Sequence, residues 1–265
     1  MAIKSLQPNT WLELQGALFD EHLPVSPNSF HSGYIHRGMK DSTWKMQSSI
    51  ERLNMFEQEH HLLRNFQKYA RNVQVQRERP WDWLAIAQHH GLPTRLMDWT
   101  YNPLVALHFA LADADWPEAS VVWSLDYVKL TKHLPISLSE ALVGGATAFT
   151  TDMLDNVAAP ISPADGQEVD SAYLLIIEPP SLDDRIVNQY AGLSAFSSVK
   201  INVEDWLRQL PEVVAVKIEI PPSLKWEARE KLDKAGINER MIYPGLGGLA
   251  TWLTRYYSSP PRQWV

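Results

Sequence analysis

The segment that most constrains the fold is residues 104–112, which are apolar on nearly every side when placed on a helix. Asn102 and Pro103 stand directly before it, and these residue types are typical of the cap and the first position of a helix. A helix without a polar face has to be covered by other elements. The sequence therefore predicts a helix in the middle of the fold.

Other elements are expected on both sides of this helix. Apolar residues at a spacing of three to four predict a helix over residues 50–70, and Pro80 begins another that reaches about His89 before Gly91 and Pro93 end it. A short amphipathic helix is expected near residues 11–19, in an otherwise loop-rich start. Strands are expected around residues 33–37 and 121–126.

Two later segments resemble each other. Residues 172–178 and 213–220 are β-branched strands, each followed by two prolines and by a serine, Ser181 or Ser223, that is suited to cap a helix. The second helix should run to about Ala235. Residues 131–170 are weakly patterned and predict a long insertion or lid. The spacing is not a regular alternation, so we expect an α+β single domain with a mixed sheet packed with helices.

Composition narrows the function classes. The chain has 265 residues, a formal charge of −7 and no cysteine, which excludes disulfides, thiolate zinc sites and cysteine nucleophiles. A cytoplasmic location is expected on this basis. The sequence has no apolar run of about 18 residues, so no membrane partner is expected. The net charge argues against non-specific adhesion to nucleic acid, although residues 64–79 are locally basic.

The densest polar chemistry lies in residues 88–100, between the two helices that the pattern predicts to be buried. Buried polar groups have to pair, because each one left unpaired costs about 1–3 kcal/mol. Two interpretations stay open. The segment either satisfies itself, with Arg95 bound to Asp98 and threonines capping helix ends, or it presents some of these groups to a ligand.

A metal centre is a weaker hypothesis for this segment. Neighbouring His89 and His90 would point about 100° apart on a helix, and no His-x-x-x-His or Glu-x-x-His pattern accompanies them. Phosphate-binding glycine loops and the Gly-x-Ser-x-Gly elbow of hydrolases are absent from the sequence as well. Earlier in the chain, Arg37 ends a predicted strand and precedes Gly38. Such an arginine suits a phosphate or carboxylate, and the glycine would let a ligand approach the backbone.

Three motifs together resemble the FRG domain family, which is named for a Phe-Arg-Gly motif. The motifs are residues 34–38, residues 88–100 and residues 102–110, with further agreement at Arg185, Gln189, Gly192 and Phe196, and at residues 236–250. His36 stands where the family has phenylalanine, so only Arg37 and Gly38 carry over. The resemblance implies an N-terminal extension over residues 1–29, an FRG domain over residues 30–253 and a tail over residues 254–265.

The order of the motifs is also similar to that of ADP-ribosyltransferases, which is an analogy of fold and motif order. It implies an ADP-ribosyltransferase-like fold with NAD as substrate and a protein or nucleic acid as acceptor. Cleavage of the nicotinamide–ribose bond builds an oxocarbenium-like centre, which Glu239 would stabilise, with Glu178 as the rival acid. Catalytic roles are expected for Glu239, Arg37 and Thr100, and contacts to NAD for Arg37, Gly38, His89, Thr94, Arg95, Trp99 and Thr100.

The leading expectation is therefore an NAD-dependent ADP-ribosyltransferase-like enzyme. Some FRG domains neighbour toxin or defence genes, so a bacterial or phage toxin or anti-phage effector is implied. The alternative is a non-enzymatic module that senses a ligand or binds nucleic acid. Its motive is the basic run at residues 64–79, where Phe66, Tyr69 and Trp81 are interleaved with the cations. A metal-dependent hydrolase is a third and weaker reading.

Overall fold

The computed structural model describes residues 2–20, 33–70, 79–157, 171–198 and 201–258. Its centre is one sheet of eight strands in the order β1-β8-β4-β2-β3-β7-β6-β5. The strands are β1 (Ile3–Leu6), β2 (Tyr34–Met39), β3 (Leu96–Thr100), β4 (Ser120–Asp126), β5 (Phe149–Thr150), β6 (Leu174–Glu178), β7 (Ala191–Phe196) and β8 (Ala215–Ile220).

Helices lie on both faces of this sheet. They are α1 (Trp11–Phe19), α2 (Ser49–Arg52), α3 (Glu59–Tyr69), α4 (Pro80–His89), α5 (Pro103–Ala110), α6 (Tyr127–Leu130), α7 (Ile136–Ala141), α8 (Thr151–Val157), α9 (Asp184–Asn188), α10 (Val203–Gln209), α11 (Pro222–Lys234), α12 (Glu239–Ile242) and α13 (Leu246–Tyr256). Short 3-10 turns occupy Phe56–Gln58, Thr131–His133 and Val143–Gly145.

The sheet is mixed. The two outer pairs, β1 with β8 and β5 with β6, are parallel, whereas every inner pair is antiparallel. The predicted class, a mixed sheet packed with helices, is confirmed. The ADP-ribosyltransferase-like form of that fold stays a prediction.

The all-apolar helix lies where its composition requires. Asn102 caps α5 by accepting the backbone N–H of Leu104 at 2.9 Å, and Pro103 takes the first position, as predicted. Ala106 and Leu107 are fully buried, because one side of α5 packs on β2 and β4 while α1 and α11 cover the other. This helix forms one wall of the region in which the site lies.

Several elements agree with the sequence and one helix does not. The predicted short helix at α1, the helix α4 and strands β2, β4, β6 and β8 are confirmed. The single helix expected over residues 50–70 is wrong, since α2 ends at Arg52 and α3 begins at Glu59. Between them Asn54 adopts a left-handed backbone with φ of 53°, which a continuous helix does not allow.

Three further expectations are corrected. Residues 96–100, predicted as part of a connection, form the inner strand β3. The described part of the predicted insertion packs into the core, because Leu138, Phe149 and Leu154 are buried against α4 and the strands. Residues 158–170 of that prediction lie outside the described residues. The start of the chain supplies the edge strand β1, paired with β8, although a loop-rich extension was expected.

Neither predicted serine cap is used. Asp183 caps α9, and Pro221 precedes α11 without a capping side chain. Gly236 follows the C-cap of α11 with a φ of 80°, which confirms the predicted stop.

Candidate functional site

The sheet is nearly divided between β2 and β3. Six residue pairs join β2 to β4, and five join β3 to β7, but only the pair His36 and Thr100 joins β2 to β3. Beyond that pair the two strands lack ladder bonds in the described structure. The gap between them is therefore open to side chains.

A cavity of about 300 Å³ lies at this gap. Its walls come from β2, β3 and β7 and from helices α4, α5 and α9. The polar and charged residues that line it are His36, Arg37, Gln88, His89, Asp98, Thr100, Arg185 and Gln189, together with Gly38, Trp99, Phe109 and Pro179 among the others. The volume is at the lower end of the range of roughly 300–1,000 Å³ that small-molecule sites occupy.

Arg37 crosses the gap from β2. Its Nη1 donates to the backbone carbonyl of Asp98 at 2.5 Å, which satisfies a strand carbonyl that has no ladder partner on β2. Its Nε is buried and has no hydrogen-bond partner among the described residues. Burial lowers the pKa of Arg37, against the opposing charge of Asp98. No ion pair neutralises Arg37 within the described residues, so the guanidinium can still accept an anionic partner.

Gly38 serves packing as well as the cavity. A β-carbon at this position would lie 1.9 Å from the carbonyl oxygen of Ala106 and 2.5 Å from the backbone nitrogen of Ala110. Both atoms belong to the α5 backbone and cannot move aside cheaply. The glycine expected to admit a ligand thus also admits the central helix against β2.

Gln88 organises the polar part of the cavity. Its Nε2 donates to a carboxylate oxygen of Asp98 at 2.9 Å, and its Oε1 accepts the hydroxyl of Thr94 at 2.5 Å. Thr94 in turn accepts the backbone N–H of Leu96 at 3.1 Å. Thr94 is fully buried and does not line the cavity. It positions Gln88, and through Gln88 it positions Asp98.

Arg95 is directed away from the cavity. Its Nε donates to Glu59 at 2.6 Å, and its backbone N–H donates to the same carboxylate at 2.8 Å. The self-satisfying pair expected between Arg95 and Asp98 is wrong, because Glu59 on α3 binds the arginine. Some polar groups of residues 88–100 nevertheless pair with one another, since Gln88 forms hydrogen bonds with both Asp98 and Thr94.

His89 lies at the rim. Its Nε2 contacts a carboxylate oxygen of Asp183 at 2.9 Å, which ties the end of α4 to the start of α9. Burial raises the pKa of Asp183, but hydrogen bonds from Ile186 and His89 outweigh it, so the pKa is lowered. In the part of the chain that the structure describes, no group of three or more acidic or histidine side chains could hold a metal ion.

Trp99 and Thr100 fix β3 to its neighbours. The indole N–H of Trp99 donates to the hydroxyl of Ser194 at 2.7 Å, and the hydroxyl of Thr100 donates to the carbonyl of Gln189 at 2.6 Å. Both residues line the cavity and both are buried. Their polar atoms are engaged by the protein, so they act mainly as rigid walls.

Arg185 is the second cation of the cavity and was not expected as a site residue. It comes from α9, and its guanidinium carbon lies 5.3 Å from the centre of the Tyr243 ring. In the part of the chain that the structure describes, its buried Nε has no hydrogen-bond partner. The motif resemblance already named Arg185 and Gln189, which was the available signal. What the sequence could not show is that α9 would lie beside Arg37.

Glu239 lies in a buried ion-pair network and does not line the cavity. It binds Arg229, and it accepts from the Nε of Arg255 at 2.7 Å. Burial alone would raise its pKa, but the hydrogen bond from Arg255 and the charge of Arg229 lower the pKa to about 2. The rival acid, Glu178, is exposed at the end of β6 and does not line the cavity, although the next residue, Pro179, does.

The cations of the basic run, residues 64–79, have different surroundings. Arg64 and Lys68 are exposed on α3, whereas Arg79 is paired with Asp152 on α8. Arg71 and Arg77, on which the nucleic-acid hypothesis also depends, lie outside the described residues. None of the helices in the described ranges is both long and apolar enough to cross a membrane.

These features define a mixed α/β protein with a polar, ligand-sized cavity where its central sheet divides. Residues 32–118 match the family model of the FRG domain, so the predicted resemblance to that family is confirmed over this part of the chain. The match contains β2, α4, β3 and α5, and thus Arg37 and the segment 88–100. The predicted extension of the domain to residue 253 stays a prediction. No curated protein and no solved structure matches significantly.

Proposed function

We propose that the central cavity binds NAD and that the protein is an ADP-ribosyltransferase-like enzyme acting on a macromolecular acceptor, either protein or nucleic acid. The observation that carries the proposal is that Arg37 and Arg185 line one cavity, and that among the described residues no carboxylate forms an ion pair with either arginine. The similarity of motif order to ADP-ribosyltransferases supports NAD over other anions.

A phosphate-bearing ligand would satisfy both arginines. A buried cation without a counter-charge is costly, and its cost is offset when an anion supplies both the charge and the acceptor atoms. Guanidinium groups bind phosphate oxygens with parallel donors, which suits two arginines that face one space. The two phosphates of NAD offer enough acceptor oxygens for both side chains.

The cavity also offers a carboxylate for the reaction. Asp98 lines it and is oriented by Gln88, whereas Glu239 is engaged by Arg229 and Arg255 outside it. We therefore assign the role of the catalytic carboxylate to Asp98. In the reaction the bond from ribose C1′ to the nicotinamide nitrogen breaks, and the electron pair leaves with nicotinamide, which becomes neutral. The acceptor's nucleophile forms the new bond to C1′ and gives its proton to Asp98. The carboxylate also faces the oxocarbenium-like centre.

The test separates binding from chemistry. Purified wild-type protein, Arg37→Gln and Asp98→Asn are compared for NAD affinity by calorimetry and for release of nicotinamide in the presence of protein and RNA acceptors. Arg37→Gln should weaken NAD binding about 10- to 100-fold, since a charge-assisted hydrogen bond contributes about 1.5–3 kcal/mol. Asp98→Asn should bind NAD within a few-fold of wild type and lose nicotinamide release.

Arg208→Gln is the matched control, because Arg208 is an exposed arginine on α10 that lines neither the cavity nor its rim. It should leave affinity and turnover unchanged. Absence of both NAD binding and nicotinamide release in the wild-type protein would overturn the proposal.

The proposal includes a cytoplasmic site of action and a role as a toxin or anti-phage effector, which the FRG resemblance implies. Expression of the wild-type protein in a bacterial host should slow growth and deplete NAD. The Asp98→Asn variant, expressed at the same level, should do neither. Equal toxicity of the two proteins would contradict the enzymatic origin of the effect.

A second candidate function rests on the exposed face of α3. Arg64, Lys68 and Tyr69 are all exposed there, which combines cations with an aromatic ring as single-stranded nucleic acid binding requires. This function predicts RNA or DNA binding that falls steeply with salt and is lost when Arg71 and Arg77 are neutralised. Binding that is insensitive to those substitutions would contradict it.

A further inference from the structure

A second, more open groove of about 840 Å³ adjoins the central cavity. Arg185 lines both spaces. The other walls of the groove come from the start of α9 and from the turn between α12 and α13, and they are Asp183, Asp184, Tyr243, Pro244, Gly245, Gly247, Gly248 and Thr251.

Two aromatic rings that contact each other line the two spaces, one ring in each. Phe109 lines the central cavity and Tyr243 lines the groove, and their ring centres are 6.4 Å apart in an edge-to-face arrangement. The Arg185 guanidinium lies over the Tyr243 ring at 5.3 Å. A ligand that extends from one space to the other would therefore pass the one arginine that both share.

The chemistry of the groove differs from that of the cavity. Among the described residues, Arg185 is the only cation that lines the groove. The walls present the exposed carboxylate of Asp184, the ring of Tyr243 and small residues at the start of α13. Carboxylates repel phosphate but accept hydrogen bonds from ribose hydroxyls. The groove thus suits an uncharged nucleoside rather than a second phosphate group.

We propose that the groove binds the adenosine half of NAD, with the pyrophosphate at Arg185 and the nicotinamide nucleotide in the central cavity. The substrate class of the site is then a dinucleotide, and a mononucleotide fills only half of it. This inference rests on the proposed function. The central cavity, at about 300 Å³, agrees with it because its volume is at the lower end for a ligand site.

Gly247 provides a way to fill the groove without disturbing the fold. A β-carbon at Gly247 meets no atom within 4 Å, whereas one at Gly248 would lie 1.8 Å from the carbonyl oxygen of Tyr243. Gly247 also lies inside α13, where a side chain is compatible with the helix. Gly247→Leu should fold as wild type does and occupy the space proposed for adenosine.

The experiment measures the affinities of NAD and of nicotinamide mononucleotide for wild type and Gly247→Leu by calorimetry. Gly247→Leu should weaken NAD binding at least tenfold and leave the affinity for the mononucleotide unchanged. Gly16→Leu on α1 is the matched control, since a β-carbon there makes only an ordinary contact of 3.5 Å with Asp20, and the residue lines neither space. It should change neither affinity. Thermal denaturation of both variants checks that they fold.

The outcomes distinguish the two proposals. Wild-type binding of NAD that Gly247→Leu does not weaken would overturn the groove proposal alone. Binding of the mononucleotide with the same affinity as NAD would also overturn it and leave the central cavity as a nucleotide site. Binding of neither ligand would overturn both the groove proposal and the proposed function.

Discussion

Two pairs of arginines in this protein have opposite surroundings. Arg229 and Arg255 lie against α12 in a network with Glu239 and Asp233, where each guanidinium has a carboxylate within hydrogen-bond distance. Arg37 and Arg185 lie at the gap in the sheet, and neither has a carboxylate partner among the described residues. The first pair is electrically complete within the protein, and the second pair is not.

The difference shows that the role of a buried arginine depends on whether the protein itself supplies a carboxylate partner. A paired arginine contributes to the fold, because removal of either partner leaves an uncompensated charge. An arginine beside a cavity without an ion pair costs free energy in the folded protein, and the proposed function assigns the missing charge to an external anion. The sequence alone does not distinguish the roles of these four arginines.

The largest effect should come from Glu239→Gln, which keeps the shape of the side chain and removes its charge. Arg229 and Arg255 then lose their shared carboxylate in a site where the Glu239 side chain is 8% exposed and that of Arg229 2%. We expect a loss of about 3–5 kcal/mol in the free energy of unfolding, measured in urea. Glu230→Gln, at an exposed pair with Lys234, should show no measurable loss. If Glu239→Gln kept the stability of wild type and lost only turnover, the catalytic role expected for Glu239 from the sequence would be supported instead.

Acid should remove much of the same contribution. The folded pKa of Glu239, about 2, is below the ordinary value of 4.5, so the stabilisation is present above about pH 4.5 and is lost as the pH falls to 2. A shift of this size corresponds to about 3 kcal/mol. The gap in unfolding free energy between wild type and Glu239→Gln should therefore narrow over this range. His108, whose pKa burial and Arg229 lower to about 3, titrates in both proteins. A gap independent of pH would contradict the ion-pair account.

Arg37→Gln should have a much smaller effect on stability than Glu239→Gln. The variant loses the hydrogen bond to the Asp98 carbonyl, but it also removes a buried charge that no ion pair among the described residues neutralises, and the two changes largely cancel. We expect the unfolding free energy without ligand to change by no more than about 1 kcal/mol. Saturating NAD, at about 100 times its Kd, should stabilise wild type by about 2.7 kcal/mol and the variant far less. Thermal denaturation with and without NAD measures both quantities.

The smallest effect should come from the rim. Asp183→Asn keeps a helix-capping side chain on α9 and removes the carboxylate from the contact with His89. Because the Asp183 side chain is 49% exposed, solvent screens this contact, and the expected loss is below about 1 kcal/mol. The loss should shrink further at high salt. If Asp183→Asn lowered the unfolding free energy as much as Glu239→Gln does, solvent exposure would not explain which ion pairs stabilise this protein.

Much of the fold follows from local patterns. The cap and proline before α5, the proline that begins α4 and the β-branched runs of β6 and β8 act within a few residues, so the sequence predicted these elements. β3 was missed because Pro93 and the polar residues around it indicate a connection, and only the neighbouring strands make a strand of residues 96–100. The break after α2 depends on a left-handed residue, Asn54, which the apolar spacing does not reveal.

The candidate site was predictable in part. Five expected residues line the cavity, and they are Arg37, Gly38, His89, Trp99 and Thr100. Thr94, Arg95 and Glu239 do not, because their partners Gln88, Glu59, Arg229 and Arg255 come from elsewhere in the chain. Such pairings form only in three dimensions. The same reason explains why Arg185 was recognised as part of a motif but not as a cavity residue.

The single residue pair between β2 and β3 has a consequence for ligand entry. In this sheet the Arg37 side chain replaces a missing rung of the ladder, so any anion that draws Nη1 away exposes the Asp98 carbonyl to solvent or ligand. Amide hydrogen exchange along β2 and β3 would report this directly. Backbone amides at the boundary between β2 and β3 should exchange faster than those between β2 and β4, because a single residue pair joins β2 to β3. A ligand that contacts both strands should slow this exchange.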